Sequence, residues 1–134
     1  MDVKLIELQS HGDERGSLVA LEEFINIPFT IKRVYYMFDT QKTVSRGFHA
    51  HKHLKQLAIV LKGSCRLKLD NGQEKVVVYL DNPSQGLYLD SCVWREIYDF
   101  SDDCVLVVLS DALYDESDYV RNYDEFVRMI KNDS

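Results

Sequence analysis

The feature that most constrains this chain is its punctuation. Short runs rich in β-branched and aromatic residues recur between turn signals: Leu18–Phe24, Phe29–Phe38, Leu57–Leu61, Ser64–Leu69, Lys75–Leu80, Gly86–Leu89 and Val105–Leu109. Turn-forming residues separate them at Asp13–Gly16, Asn26–Pro28, Asp70-Asn71-Gly72, Asp81-Asn82-Pro83 and Ser101–Asp103. Asn71-Gly72 falls between CRLKL and EKVVVYL, and both residues tolerate positive φ, so a hairpin is predicted there. Many short, evenly spaced strands favour a sandwich or barrel over a doubly wound sheet. The tail changes period. Tyr119, Val120, Tyr123, Phe126, Val127 and Ile130 recur at helical spacing, which predicts a helix over about 119–131 with Ser117 as its N-cap. The expected architecture is all-β: a single jelly-roll-like barrel spanning 1–134, closed by a short C-terminal α-helix.

Composition narrows the function classes. At 134 residues the chain fits one domain, and 46% hydrophobic with 28% charged residues is a globular balance that argues against disorder. A net charge of −6 speaks against a nucleic-acid partner, whose phosphates demand an excess of Lys and Arg. An anionic ligand would need its cations gathered in a pocket. Cys65, Cys92 and Cys104 are odd in number and lack metal-ligand spacing. The first sixteen residues lack the basic-then-apolar pattern of a secretory signal, and no apolar run reaches the roughly 20 residues of a membrane span. The expectation is a cytoplasmic protein with no membrane partner, whose thiols are reduced core side chains.

Three of the four histidines lie within Arg46-Gly47-Phe48-His49-Ala50-His51-Lys52-His53-Leu54-Lys55-Gln56. In a strand, residues two apart share a face, so His49 and His51 point the same way. Alone, that pattern is also what surface polar residues or a packed pair would give. Its surroundings say more. His-x-His, four residues, Gln56, six residues, Gly63 resembles the first motif of the cupin superfamily, where glutamate normally holds the position of Gln56. A second cupin motif normally adds another histidine, yet GLYLDSCVWREI has none and places Arg95 about there. A divalent ion wants several imidazoles and a carboxylate, whereas two histidines, an amide and a permanently protonated guanidinium repel it. No metal and no cofactor are predicted. His49 and His51 are then acid–base candidates with intrinsic pKa values near neutrality.

Further blocks extend the likeness: Asp13-Glu14-Arg15-Gly16-Ser17-Leu18, Pro28-Phe29-Thr30-Ile31-Lys32-Arg33-Val34-Tyr35-Tyr36, Gly86-Leu87-Tyr88, Val93-Trp94 and Tyr114-Asp115-Glu116-Ser117-Asp118-Tyr119-Val120-Arg121. With RGFHAHK they cover nearly the whole chain, which resembles the sugar 3,4-ketoisomerases, cupins acting on dTDP-4-keto-6-deoxy-glucose. The resemblance implies a homodimer of small barrels able to exchange their N-terminal strands. It also implies carbonyl migration from C4 to C3 in the making of 3-amino-3,6-dideoxy sugars, with His49 moving the proton between carbons and His51 managing protons on the oxygens. The residues suit that chemistry, because the C4 ketone acidifies the C3 proton and two side-by-side imidazoles can serve two transfers without a cofactor.

Substrate-binding candidates follow. On IKRVYYMF, Arg33 and Tyr35 share one face and read as pocket-lining; Val34, Tyr36 and Phe38 share the other and read as core or interface. Arg33 and Arg46 are candidates for the pyrophosphate, which guanidinium groups grip in bidentate fashion. Gln56 is expected to bond substrate or to orient His51, and Trp94 to pack in the core. Arg15 resembles the family members that deliver the C4 proton to give a galacto product, and Arg95 those that give gluco; the balance tips slightly to galacto. Three rivals stand beside this reading: a metal-free 3,5-epimerase, for which the sequence offers no convincing His–Asp dyad, a non-catalytic nucleotide-sugar-binding cupin, and a metal-dependent oxygenase, which would carry stoichiometric transition metal.

Overall fold

A computed structural model describes residues 1–132. The strands are β1 (Lys4–Glu7), β2 (Ser10–Asp13), β3 (Gly16–Val19), β4 (Arg33–Met37), β5 (Arg46–His51) and β6 (Gln56–Lys62). They continue with β7 (Cys65–Asp70), β8 (Lys75–Leu80), β9 (Gln85–Leu89), β10 (Trp94–Tyr98), β11 (Val105–Ser110) and β12 (Tyr119–Val120), before the helix α1 (Tyr123–Asn132). Two five-stranded sheets, ordered β1-β9-β6-β11-β4 and β12-β5-β10-β7-β8, face each other, and β2 and β3 form a separate two-stranded ribbon. The pairings are antiparallel, as expected of a cupin-type β-barrel.

Strand alternation builds two apolar layers around the first sheet. Ala58, Val60, Leu106 and Val108 face inward against Leu67, Leu69, Leu87 and Ile97. Their neighbours Leu57, Ile59, Val107 and Leu109 face out, where Leu8, Ile27 and Phe29 cover them. Because both faces of β6 and β11 are buried, these strands read as continuous apolar runs rather than alternating ones. The predicted hairpin is present: β7 and β8 pair from Cys65↔Leu80 to Asp70↔Lys75, with Gly72 at φ +92 in the connection.

Three expectations change. The helix begins at Tyr123 rather than Tyr119, because Tyr119 and Val120 pair with His51 and Ala50 as an edge strand. Their apolar side chains obey the helical period, but backbone pairing to β5 takes them. Ser117 therefore does not cap the helix. It sits in a 3-10 turn capped by Asp115, while the Asn122 side chain accepts the Glu125 N–H at 3.0 Å. Finally, of the two readings of Val34, Tyr36 and Phe38 as core or interface, the first falls away, since they are 54%, 64% and 59% exposed within one chain. Trp94 is core as expected, packed against Phe126 and Tyr123 of the helix.

Candidate active site

Inward-facing positions of five strands converge between the sheets. On β4, Arg33 and Tyr35 point in; across β11, Arg33 pairs in register with Ser110 and Tyr35 with Val108. Ser110 in turn pairs with Gln56, the first residue of β6, which shares the inward parity of Ala58 and Val60. From the opposite sheet come Arg95 on β10 and His49 on β5, which are register partners. The register slips between Arg95 and Glu96, where Gly47 (φ +91) and Phe48 (φ +54) form a bulge. Such a bulge re-aims the next side chain. Glycine is needed at 47, since a Cβ there would also press the Arg95 carbonyl at 3.1 Å.

The result is a cavity of about 340 Å³ that includes Tyr35, His49, Gln56, Arg95 and Tyr119 in its lining. Arg33, Arg46 and Arg121 also line it, and no carboxylate does. A chain of net charge −6 has thus concentrated four guanidinium groups in one cleft. Arg95 is the unusual one. It is 2% exposed, and its hydrogen bonds go to the Gln56 side-chain oxygen and the Val93 carbonyl, with no acid among them. Its Nε has no partner among the described residues. A buried charge without a counter-ion is costly and is tolerated chiefly where an anion is to be received.

Both imidazoles are held in one tautomer. His49 Nδ1 lies 3.1 Å from the Gly47 carbonyl, which can only accept, so Nδ1 carries the proton. His51 Nδ1 lies 3.2 Å from Asp118 Oδ2, with the same consequence. Each ring is left with a buried, unpartnered Nε2, the basic nitrogen. The rings meet edge to face with centroids 4.9 Å apart, and Tyr119 packs on both. Burial first and the Arg95 charge second lower His49 to about 4 and His51 to about 3 from 6.5. Both rings are neutral, and available as bases, at physiological pH.

That depression links the site to stability. Between pH 6.5 and about 4 the unfolded chain binds protons that folded His49 refuses, and His51 extends the window to about 3. Their contribution is complete above pH 6.5 and is lost as pH falls through that window. Thermal unfolding is therefore expected at lower temperature at pH 5 than at pH 7.5, and His49→Asn should flatten the dependence. An equal slope in the variant would contradict the assignment.

The sequence-predicted residues fare unequally. His49, Arg33, Tyr35, Arg46, Gln56 and Arg95 line the cavity. His51, 1% exposed, lies behind His49 and lines an adjoining cavity of about 230 Å³ shared with Arg33, Tyr114, Asp118 and Tyr119. Gln56 does not orient His51. Its bonds go to Arg95, Ser110 and Tyr35. Arg15 is not brought to the cavity: it stands on the β2–β3 ribbon, its side chain 86% exposed and paired with Asp13. The ribbon forms its own sheet, so nothing within one chain carries Arg15 inward. His53 contributes a backbone N–H to Asp118. Among the described residues, no three of His, Cys, Asp and Glu cluster as metal ligands.

Asp118, Tyr119, Arg121 and Ser110 are site residues that pattern reasoning missed. Asp118 supplies the His–Asp pair that the sequence did not reveal, because the acidic stretch Tyr114–Asp118 reads locally as a turn and helix start. The only signal was indirect: the block ending in Arg121 belongs to the resemblance.

Comparison with known proteins agrees with this fold. Residues 1–131 match the family model described as FdtA, WxcM-like, C-terminal. The chain is 53% identical over 130 residues to the TDP-4-oxo-6-deoxy-alpha-D-glucose-3,4-oxoisomerase of Aneurinibacillus thermoaerophilus, covering 97% of this chain and 94% of that protein. A sugar 3,4-ketoisomerase from Thermoanaerobacterium thermosaccharolyticum, solved in complex with TDP, superposes with TM-score 0.95 at 44% identity, over 98% and 96% of the two chains. The TDP-quinovose 3,4-ketoisomerase of Campylobacter jejuni superposes with TM-score 0.90 at 46% identity, over 95% and 98%. The two-sheet barrel is therefore that of a shared fold, and the chain belongs to the FdtA/WxcM-like family of sugar 3,4-ketoisomerases, which are isomerases.

Proposed function

We propose that this protein converts dTDP-4-keto-6-deoxy-glucose to a dTDP-3-keto-6-deoxy-hexose by proton transfer through an enediolate, without a cofactor. The observation that carries the reading is the pairing of two neutral imidazoles, each with a free Nε2, beside a buried arginine that lacks an acid. His49, which opens on the arginine-lined cavity, takes the C3 proton, exchanges it with solvent while the enediolate lasts, and delivers a proton to C4. His51, held by Asp118 behind it, moves the proton between the two oxygens. The Arg95 charge stabilises the enediolate, a role for which preorganised buried donors are well suited. Arg33 and Arg46 grip the pyrophosphate, the dianionic group that explains why cations gather here, while Arg121 is already paired with Glu116.

Substrate identity draws support from relatives: the Aneurinibacillus protein is named for the TDP-4-oxo sugar, and the Thermoanaerobacterium enzyme also has a mutant solved with TDP-4-keto-6-deoxyglucose. The product feeds a step that aminates C3. A homodimer suits the exposed Val34, Tyr36 and Phe38, and exchange of N-terminal strands would carry Arg15 to a partner's cavity. Arg15 in that position favours the galacto product; Arg95 on the cavity floor favours gluco. The test is proton NMR of the product trapped by a C3 aminotransferase. An amine at C3 supports the reading, and the H4–H5 coupling, small for galacto and large for gluco, assigns the face.

The His51–Asp118 pair gives the 3,5-epimerase a specific observation in its favour. Inversion at C5 with the ketone still at C4 would establish it in place of carbonyl migration. Tight TDP-sugar binding with no turnover would establish the non-catalytic cupin.

A further inference from the structure

Gln56 is wholly buried, and so is Ser110. In a metal-binding cupin the corresponding side chain is a ligand; here its amide is fixed by donor and acceptor counting. Arginine has only donors, so the Arg95 Nη1 that meets Gln56 must face the amide oxygen. The Gln56 NH2 group then points the other way. One of its hydrogens goes to Ser110 Oγ at 3.0 Å and the other to the Tyr35 hydroxyl at 3.3 Å. Flipping the amide would set NH2 against guanidinium and break the bond to Arg95, whereas the two hydroxyls could serve either orientation. Tyr35 is therefore an acceptor toward Gln56, and its own hydrogen must point elsewhere. Among the described residues it donates to none, and the side chain lines the cavity beside His49 and Arg95. The buried Arg95 charge also polarises the amide, and the amide the phenol, which strengthens that outward donor.

We propose that Gln56 is a positioning residue: pinned by Arg95 and Ser110, it makes the Tyr35 hydroxyl a dedicated hydrogen-bond donor to the sugar oxygen that becomes negative in the enediolate. The inference rests on the ketoisomerase reading and deepens it, since a relay of this direction is useful only where an oxyanion forms next to a base. It also explains why glutamine and not glutamate suits this position. A carboxylate would accept from Arg95 with one oxygen and from Tyr35 with the other, drawing the phenol hydrogen out of the cavity.

Gln56→Glu, Tyr35→Phe and the double variant test this on dTDP-4-keto-6-deoxy-glucose. Each single change is expected to lower kcat by about tenfold or more while TDP binding holds. The double variant should be no slower than the slower single, because both remove the same donor. Losses that multiply, or wild-type kcat in Gln56→Glu, would overturn the relay. Should the buried carboxylate prevent folding, Gln56→Met gives an equivalent cycle with no new charge. The wild-type control separates the two claims: no 3-keto product from wild type refutes the ketoisomerase reading, whereas normal wild-type turnover with multiplying losses refutes only the relay.

Discussion

His49→Asn is expected to abolish exchange of the sugar's C3 proton with solvent deuterium and to lower kcat by about 10²–10⁴-fold, the usual worth of a positioned general base. The argument starts from local geometry. The bulge at Gly47–Phe48 turns the His49 ring into the cavity, and the Gly47 carbonyl fixes its proton on Nδ1. Burial and Arg95 hold the ring neutral, down to about 4, so its Nε2 lone pair is unprotonated and free to accept throughout the physiological range. Asparagine keeps a polar side chain in a partly open position and is expected to leave the fold and TDP affinity intact. Isotope exchange followed by proton NMR, with TDP binding measured alongside, checks it. Retained exchange would assign the carbon base to another residue.

Asp118→Asn is expected to cost kcat about 10²-fold or more through His51 alone. In the native site, Oδ1 accepts the His53 N–H at 2.9 Å, while Oδ2 accepts from His51 Nδ1 at 3.2 Å and from Leu54 N–H at 3.3 Å. An asparagine that gives its oxygen to His53, the shorter bond, turns its NH2 toward His51 and leaves the Leu54 N–H without that acceptor. That nitrogen can then only accept, so the ring proton is driven to Nε2 and the base is lost. Nitrogen-15 NMR of His51 should report the change from an Nδ1–H to an Nε2–H ring, a readout that a merely loosened turn would not produce. An unchanged tautomer with normal turnover would remove Asp118 from the mechanism.

Much of this was legible in the chain. Strands alternate with period two, so the parity of Arg33 with Tyr35 placed both in the cavity without reference to tertiary structure. The His49-x-His51 spacing likewise put both rings side by side. Gln56 and Arg95 stood out because they occupy positions where metal cupins carry ligands. What failed was whatever depends on pairing across long separations. Asp118 reaches His51 over 67 residues, and no local pattern marks a turn residue as a histidine's partner. Tyr119 satisfied a helical period that β5 pairing overrode. Of the two roles read for Gln56, orienting His51 falls away, because inward parity gives the face but not which side chain crosses from the opposite sheet. Arg15 lies on a ribbon that forms a sheet of its own, so no strand parity ties its side chain to the cavity.

The central claim is carbonyl migration by proton transfer at His49, and one measurement addresses it most directly. Purified protein, treated with chelator, is incubated with dTDP-4-keto-6-deoxy-glucose in deuterium oxide and the sugar is followed by NMR. The account predicts a ketone at C3, deuterium at C4 and retained stereochemistry at C5. A ketone that stays at C4, with deuterium entering C5, would contradict it.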